Sequence, residues 1–403
     1  MPTKTHYPST FTFITLALSV LFLLAVSAVL ALGSLISLFG QTNDAAEQMI
    51  MAFAFGFLCL LLILCAWFVL EKMRNKESAD APFELPFSSW QIFAAFGMTI
   101  ISIGVGAMIT LLDNQVLSWV FLPALTIFVI VPPVWLIFAL GAHGLALGAR
   151  WRFFSIFGIG LTAAPLIIII LEIIVLLFGT LGAAIYVGVT QPQAFAELKF
   201  VAEQLANLAN EEAMLELLAP YLTNPIILAV GIGYIAVVVP LIEELIKPLG
   251  VWLFAKQIES PAQGFALGLL SGAAFALFES LNASADASVS WGAIVTARAG
   301  TSLLHITLSG IMGWGIVSAF KEKQYGRFFG AYFAAFLIHG MWNGAAAGTG
   351  ISAIGEALGK PEWLFTFAPA LLCGLLILGI GMFVVLIAAN RKLKHTPPPA
   401  ESA

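Results

Sequence analysis

The feature that most constrains this chain is a succession of apolar runs that are each long enough to cross a lipid bilayer. A helix needs about 20 apolar residues to cross the hydrocarbon core, and the run LTAAPLIIIILEIIVLLFGTLGAAIYVGV contains one charged residue, Glu172. Only 10% of the residues are charged, against about 25% in soluble domains. A membrane β-barrel would instead show short alternating segments. The sequence therefore predicts an all-α, polytopic transmembrane helix bundle.

Polar breaks between the apolar runs predict about ten transmembrane helices. They lie near residues 11–39, 50–70, 91–112, 118–146, 153–189, 226–254, 262–283, 291–320, 328–348 and 363–389. The first run is too long for the apolar region of a signal peptide, so we interpret it as an uncleaved first helix.

The basic residues between these helices predict the orientation of the chain, because cytoplasmic loops are enriched in Lys and Arg. With a cytoplasmic N-terminus, the inner side holds Lys4, Lys72, Arg74, Lys76, Arg150, Arg152, Lys256, Lys321, Lys323, Arg327, Arg391, Lys392 and Lys394. The outer side then holds only Lys199 and Lys360. We expect a multi-pass protein of the cell membrane with both termini in the cytoplasm.

Composition along the chain predicts five regions. These are a transmembrane bundle of unassigned role at 1–189, an extracytoplasmic amphipathic segment at 190–225, a functional transmembrane core at 226–348, a last transmembrane helix at 349–390 and a disordered cytoplasmic tail at 391–403. The three cysteines form no CxxC pair, which argues against a disulfide framework or a thiolate zinc site. No basic block is longer than RKLK, so nucleic acid is not an expected partner.

Ionisable side chains inside four consecutive predicted helices are the main functional signal. Each costs about 2.5–3.5 kcal/mol at mid-bilayer and is a functional candidate. They are Glu243, Glu244 and Lys247 in the sixth helix, Glu279 in the seventh, Arg298 and His305 in the eighth, and His339 with the polar Asn343 in the ninth. The predicted helices before about residue 152 contain no embedded carboxylate.

Helical spacing places several of these groups on shared faces. Glu243 and Lys247 are four residues apart, while Arg298 and His305 are two turns apart. Taken singly, each has an ordinary structural explanation, such as an ion pair or a hydrogen-bonded packing histidine. Four adjacent helices with such groups favour mutual burial around one site. Pro240 lacks a backbone donor, which predicts a local distortion beside the two glutamates.

Carboxylates and imidazoles in a low-dielectric cavity suit either a proton relay for transport or the activation of water for hydrolysis. For hydrolysis, a zinc site needs three His, Asp or Glu ligands and a nearby carboxylate base. The candidate ligands are Glu279, His305 and His339. Glu243 or Glu244 would be the base, with Lys247 or Arg298 keeping it ionised, and the Asn343 amide would donate to the oxyanion.

The four motifs resemble those of the PrsW-type intramembrane proteases. The chain carries EExxK at Glu243 to Lys247, FAxxE at Phe275 to Glu279, Arg298 with His305 seven residues later, and HxxxN at His339 to Asn343. This family is distantly similar to the CAAX prenyl protease and Abi group, whose second motif ends in His where this chain has Glu279. The resemblance covers roughly residues 226–348.

The resemblance implies hydrolysis of a peptide bond in a membrane-anchored protein, such as an anti-sigma factor, with the paired glutamates essential. It leaves open whether zinc or only glutamate and histidine activate the water. A proton-coupled transporter that uses the same carboxylates is the alternative function, and a non-catalytic scaffold is a third. Straight helices would place Glu243 and Glu279 at different depths, so we expect the membrane part of the seventh helix to begin near Gly268.

Overall fold

The computed structural model describes residues 6–40, 42, 44–208, 211–357 and 366–395. Throughout these ranges the regular elements are helices, and the β-contact found there is an isolated bridge between Pro82 and Ala149. The predicted all-α class is therefore confirmed. The protein is a multi-pass membrane protein, because nine of the described helical stretches are long and apolar enough to cross a membrane.

The helices of the first half are long and follow the apolar runs. They are α1 (Tyr7–Gly40), α2 (Ala45–Met73), α3 (Ser89–Leu111), α4 (Gln115–Ala142), α5 (Arg150–Leu161), α6 (Ala163–Thr190) and α7 (Pro192–Leu205). The fifth predicted helix corresponds to α5 and α6 together, which are separated at Thr162.

The helices of the second half are interrupted more often. They are α8 (Glu211–Leu222), α9 (Pro225–Gly233), α10 (Val239–Ile246), α11 (Leu249–Phe254), α12 (Pro261–Asn282), α13 (Trp291–Glu322), α14 (Tyr325–Ala357) and α15 (Ala368–Lys394). The ninth predicted helix lies within α14, which is long but less apolar than the nine candidate spans.

The chain forms two compact units that are discontinuous in sequence. Unit 1 comprises Met1–Leu166, Glu244–Ala335 and Gly379–Ala403, and unit 2 comprises Ile167–Glu243 and Phe336–Leu378. The predicted division at 1–189, 190–225, 226–348, 349–390 and 391–403 stays a prediction, and its tail from residue 396 lies outside the described residues.

Helix α12 is the centre of unit 1, where it packs against α4, α5 and α13. Its glycines Gly264, Gly268 and Gly272 recur every four residues and face α13. A Cβ atom on Gly268 would lie 2.2 Å from the carbonyl oxygen of Ser309, and one on Gly272 would lie 2.4 Å from that of His305. Small residues at this spacing let two membrane helices approach closely. The stripe thus holds α12 and α13 in a fixed register, which places Glu279 beside His305.

In unit 2, the segment between α9 and α10 is a π-helical turn at Tyr234–Val238. The Val239 N–H donates to the carbonyl of Tyr234, five residues earlier, instead of four as in an α-helix. Pro240 follows at once and has no N–H to donate. The distortion predicted from Pro240 is confirmed.

Candidate functional site

The predicted site residues of unit 1 form one polar network, buried at Glu244, Lys247 and His305 and partly exposed at Glu279 and Arg298. Lys247 is fully buried, and its Nζ lies 2.8 Å from Glu244 Oε1 and 2.8 Å from His305 Nδ1. His305 Nε2 lies 2.6 Å from Glu279 Oε2. Arg298 Nη2 then lies 2.8 Å from Glu279 Oε1. The contacts therefore run in one series from Glu244 of α10 through Lys247, His305 and Glu279 to Arg298. They connect α10 to α12 and α13.

Lys247 pairs with Glu244, three residues earlier. The sequence placed Lys247 on the face of Glu243, four residues earlier, and helical spacing permits either partner. Lys247 lies in the break between α10, which ends at Ile246, and α11, where Pro248 follows. The backbone of the break is fixed by Ser271, whose Oγ donates to the Lys247 carbonyl at 2.6 Å.

Aromatic packing encloses the middle of the network. The Phe275 ring meets the His305 ring edge-on at a centroid distance of 5.2 Å, and Lys247 Nζ lies 4.8 Å from the Phe275 centroid. An ammonium over an aromatic face is stabilised by the ring quadrupole. Phe275 thus contacts both Lys247 and His305.

The hydrogen bonds assign roles to the two nitrogens of His305. An ammonium has donors and no acceptor, so Lys247 donates to Nδ1, and Nε2 carries the proton that faces Glu279. Both ring nitrogens are then engaged within unit 1. Glu279 lies between Arg298 and His305, and a carboxylate in this position fixes the orientation of an imidazole ring.

A second cluster lies in unit 2, where α14 faces α10 and the π-helical turn. His339 Nε2 lies 3.8 Å from Glu243 Oε2, and both side chains are buried. Asn343 Nδ2 donates to the Ile235 carbonyl at 3.2 Å. A Cβ on Gly340 would lie 2.3 Å from the Ala236 oxygen, so glycine permits the close approach. The motif HGMWN therefore contacts the segment that leads to the glutamates.

The structure brings the predicted residues together within each unit. Glu244, Lys247, Glu279, Arg298 and His305 meet in unit 1, while Glu243, His339 and Asn343 lie together in unit 2. Their assignment as catalytic or metal-binding stays a prediction. The same holds for the oxyanion role of Asn343, whose amide here donates to a backbone carbonyl.

Sequence reasoning missed Ser271 and the glycine stripe. Ser271 is an inconspicuous serine in an apolar helix, and nothing in its neighbours indicates its contact with Lys247. The glycine stripe could have been predicted from the sequence. Gly264, Gly268 and Gly272 repeat every four residues, the spacing typical of close contacts between membrane helices.

The comparison with known proteins found one family match. A model of the PrsW family of intramembrane metalloproteases matches residues 149–375. This region is more than half of the 403 residues and includes all four motifs. It also extends beyond the segment 226–348 in which the motifs lie. No curated protein and no solved structure matches the chain.

Proposed function

The chain belongs to the PrsW family of intramembrane metalloproteases, and from this premise we propose that it hydrolyses a peptide bond of a membrane-anchored protein with water activated by Glu243 or Glu244. The observation that carries the proposal is the fully buried Lys247 between Glu244 and His305. Buried charges are costly unless they are paired, and this arrangement keeps a carboxylate ionised inside a membrane helix.

The residues divide into three roles in this proposal. Glu244, kept ionised by Lys247, accepts a proton from the attacking water, as a general base does. Glu243, the preceding residue of α10, faces His339 and is a candidate metal ligand. His305, oriented by Glu279 and Arg298, returns a proton to the leaving amine.

The donor set fits a divalent metal, with zinc the first candidate. Imidazole and carboxylate are the usual ligands of catalytic zinc. Glu243 Oε2 and His339 Nε2 are 3.8 Å apart, which is too long for a hydrogen bond and near the roughly 3.4 Å that separates two donors at zinc distances. We propose these two residues as ligands. The other two predicted ligands, His305 and Glu279, lie in unit 1, where they contact Lys247 and Arg298, and their role at a metal stays a prediction. When bound, the metal supplies Lewis acidity that makes water a stronger acid.

The proposed substrate is a protein anchored by a membrane helix, such as an anti-sigma factor. A carboxylate site set in membrane helices is reached from within the bilayer, which favours a peptide bond at or near a membrane segment. The lipid bilayer is therefore part of the reaction environment.

The test uses the full-length protein, purified in detergent and reconstituted. Membrane-protein fragments are compared between the wild type and the double variant Glu243→Gln, Glu244→Gln, with Glu322→Gln on the surface of α13 as the matched control. Fragments should disappear in the double variant and persist in the control. Metal analysis should show bound zinc that falls in His339→Ala.

Two results would contradict the proposal. Fragments unchanged in the double variant would exclude proteolysis at these glutamates. Proton-coupled solute uptake that depends on Glu279, without any cleavage, would show the alternative transport function.

A further inference from the structure

A pocket of about 700 Å³ lies in unit 1 at the membrane face where α2 and α4 end. Its walls are the segments 80–87 and 142–149, together with Arg152, Glu259 and Gln263. The Phe83 N–H donates to the Gly148 carbonyl at 2.8 Å, and the Arg150 N–H donates to the Ala81 carbonyl at 3.0 Å. Backbone hydrogen bonds thus hold the two segments together, so the pocket is a fixed part of the fold.

Two buried donors at this pocket have no partner among the residues that the structure describes. The Gln263 side chain is 1% exposed; its Oε1 accepts from the Glu259 N–H at 2.7 Å, which leaves Nε2 without an acceptor. Arg152 Nη1 donates to the Gln257 carbonyl at 2.6 Å, and its Nε has no acceptor. A buried donor without an acceptor is unfavourable. A ligand with anionic acceptor oxygens would satisfy these groups.

The same pocket is lined by two exposed carboxylates, Glu84 and Glu259. Neither has an ion pair within 4 Å in the described part of the chain, and Arg152 is the cation of the pocket whose charge acts on Glu259. Asp80 also lines the pocket, but Lys72 lies 2.6 Å away and compensates its charge. A ligand that satisfies both the donors and the carboxylates carries an anionic group and a cationic group together.

An apolar groove of about 250 Å³ continues from the polar pocket. The two share Phe83 and Leu85, and every residue that lines the groove is apolar, from Phe57 and Trp135 to Leu277 of α12. A small soluble zwitterion would fill only the polar part. An acyl chain attached to the same ligand would fill the groove and bury apolar surface.

We propose that unit 1 binds one phospholipid whose headgroup carries both a phosphate and a primary amine. The phosphate accepts from Arg152 and Gln263, the ammonium lies between Glu84 and Glu259, and an acyl chain follows the groove past Phe83 and Leu85. This site is separate from the proteolytic residues, so it does not depend on the proposed function.

The test measures lipid retention on the purified full-length chain by native mass spectrometry. In mixed vesicles of phosphatidylethanolamine, phosphatidylcholine and phosphatidylglycerol, the ethanolamine lipid should be retained at one molecule per chain and the other two displaced. Glu84→Gln with Glu259→Gln should lower its retention at least about tenfold, the equivalent of one lost charge-assisted contact. Gln263→Leu should lower retention of every phospholipid. Glu77→Gln, which lies outside the pocket, is the matched control.

Three outcomes would overturn the proposal. One is equal retention of the three lipids by the wild type, a measurement that needs no variant to fold. Another is unchanged retention in the double carboxylate variant. The last is displacement of the lipid by an equal concentration of soluble phosphoethanolamine, which would show that the headgroup alone is the ligand.

Discussion

At the scale of single residues, Lys247 carries the charge balance of the network in unit 1. Its ammonium faces a carboxylate, an imidazole and an aromatic ring, and none of it reaches the surface. Removing one member of a buried pair leaves an uncompensated charge, whereas removing both leaves none. The pair formed by Glu244 and Lys247 is therefore open to a direct test.

We predict that Lys247→Met destabilises the protein by about 3 kcal/mol, because Glu244 is left buried without its cation. The double variant Lys247→Met, Glu244→Gln should lie within about 1 kcal/mol of the wild type. Thermal unfolding in detergent measures both, with Lys256→Met as the control, because Lys256 is exposed and lies two residues after α11. A double variant as unstable as the single one would show that Lys247 acts through other contacts.

The sequence identified the residues of the network but not how they pair. Buried charges in membrane helices are visible from composition alone, which is why Glu279, His305 and His339 were predicted as site residues. Helical spacing allows Lys247 to pair with Glu243 or with Glu244. The contact with Glu244 is known only from the structure, because spacing alone does not choose between the two.

At the scale of elements, the contact between α12 and α13 sets the register of the network. We predict that Gly268→Ala costs about 1–3 kcal/mol, because its Cβ would lie 2.2 Å from the Ser309 oxygen and would push the helices apart. Cleavage should fall as well, since Glu279 and His305 lie on opposite sides of this contact. Unfolding and cleavage assays measure the two effects.

Gly300→Ala is the matched control for Gly268→Ala. Gly300 lies on α13 and is exposed, and a Cβ atom added to it would meet no other atom within 4 Å. The substitution should stabilise its helix by up to about 1 kcal/mol, the usual difference between alanine and glycine. Equal effects of the two substitutions would contradict the register argument.

The π-helical turn before the glutamates gives a second prediction. Asn343→Ala should cost about 1 kcal/mol, because the Ile235 carbonyl loses its side-chain donor. The cost should shrink in a Pro240→Ala background, since residue 240 then has an N–H that can reach the carbonyl five residues earlier. A double-mutant cycle on unfolding free energies measures the coupling. Additive effects would show that Asn343 does not compensate for the proline.

The interruptions remove the assumption of a straight sixth helix, on which the expected difference in depth between Glu243 and Glu279 was based. A straight sixth helix would have separated Glu243 from Glu279. The structure breaks that segment into α9, a π-helical turn, α10 and α11, so a rise of 1.5 Å per residue does not hold along it. Helix α12 itself is continuous from Pro261. The prolines in the sequence predict a break in the sixth helix. Its geometry depends on tertiary contacts, such as the hydrogen bond from Ser271 to the Lys247 carbonyl.

At the scale of the whole molecule, the number of membrane crossings depends on α14. Nine described stretches are apolar enough to cross, whereas α14 carries His339 and Asn343 and is less apolar. Its 33 residues would extend about 50 Å, more than the roughly 30 Å of the hydrocarbon core. Length therefore permits a tenth crossing that composition alone does not require.

The basic residues at the end of α15 decide between nine and ten crossings. Arg391, Lys392 and Lys394 lie in its last turn. If α14 crosses, they are on the same side as Lys321 and Lys323, in agreement with the positive-inside rule. If it does not, this basic cluster is on the outer side.

We predict that α14 crosses and that both termini are cytoplasmic. A fluorescent-protein fusion should be bright after Lys323 and at the C-terminus, and an alkaline phosphatase fusion should be active at Lys360. An alkaline phosphatase fusion that is inactive at Lys360, together with one that is active at the C-terminus, would contradict the prediction. It would also leave His339 without a membrane crossing, so the reporter pattern tests whether the second cluster lies within the bilayer.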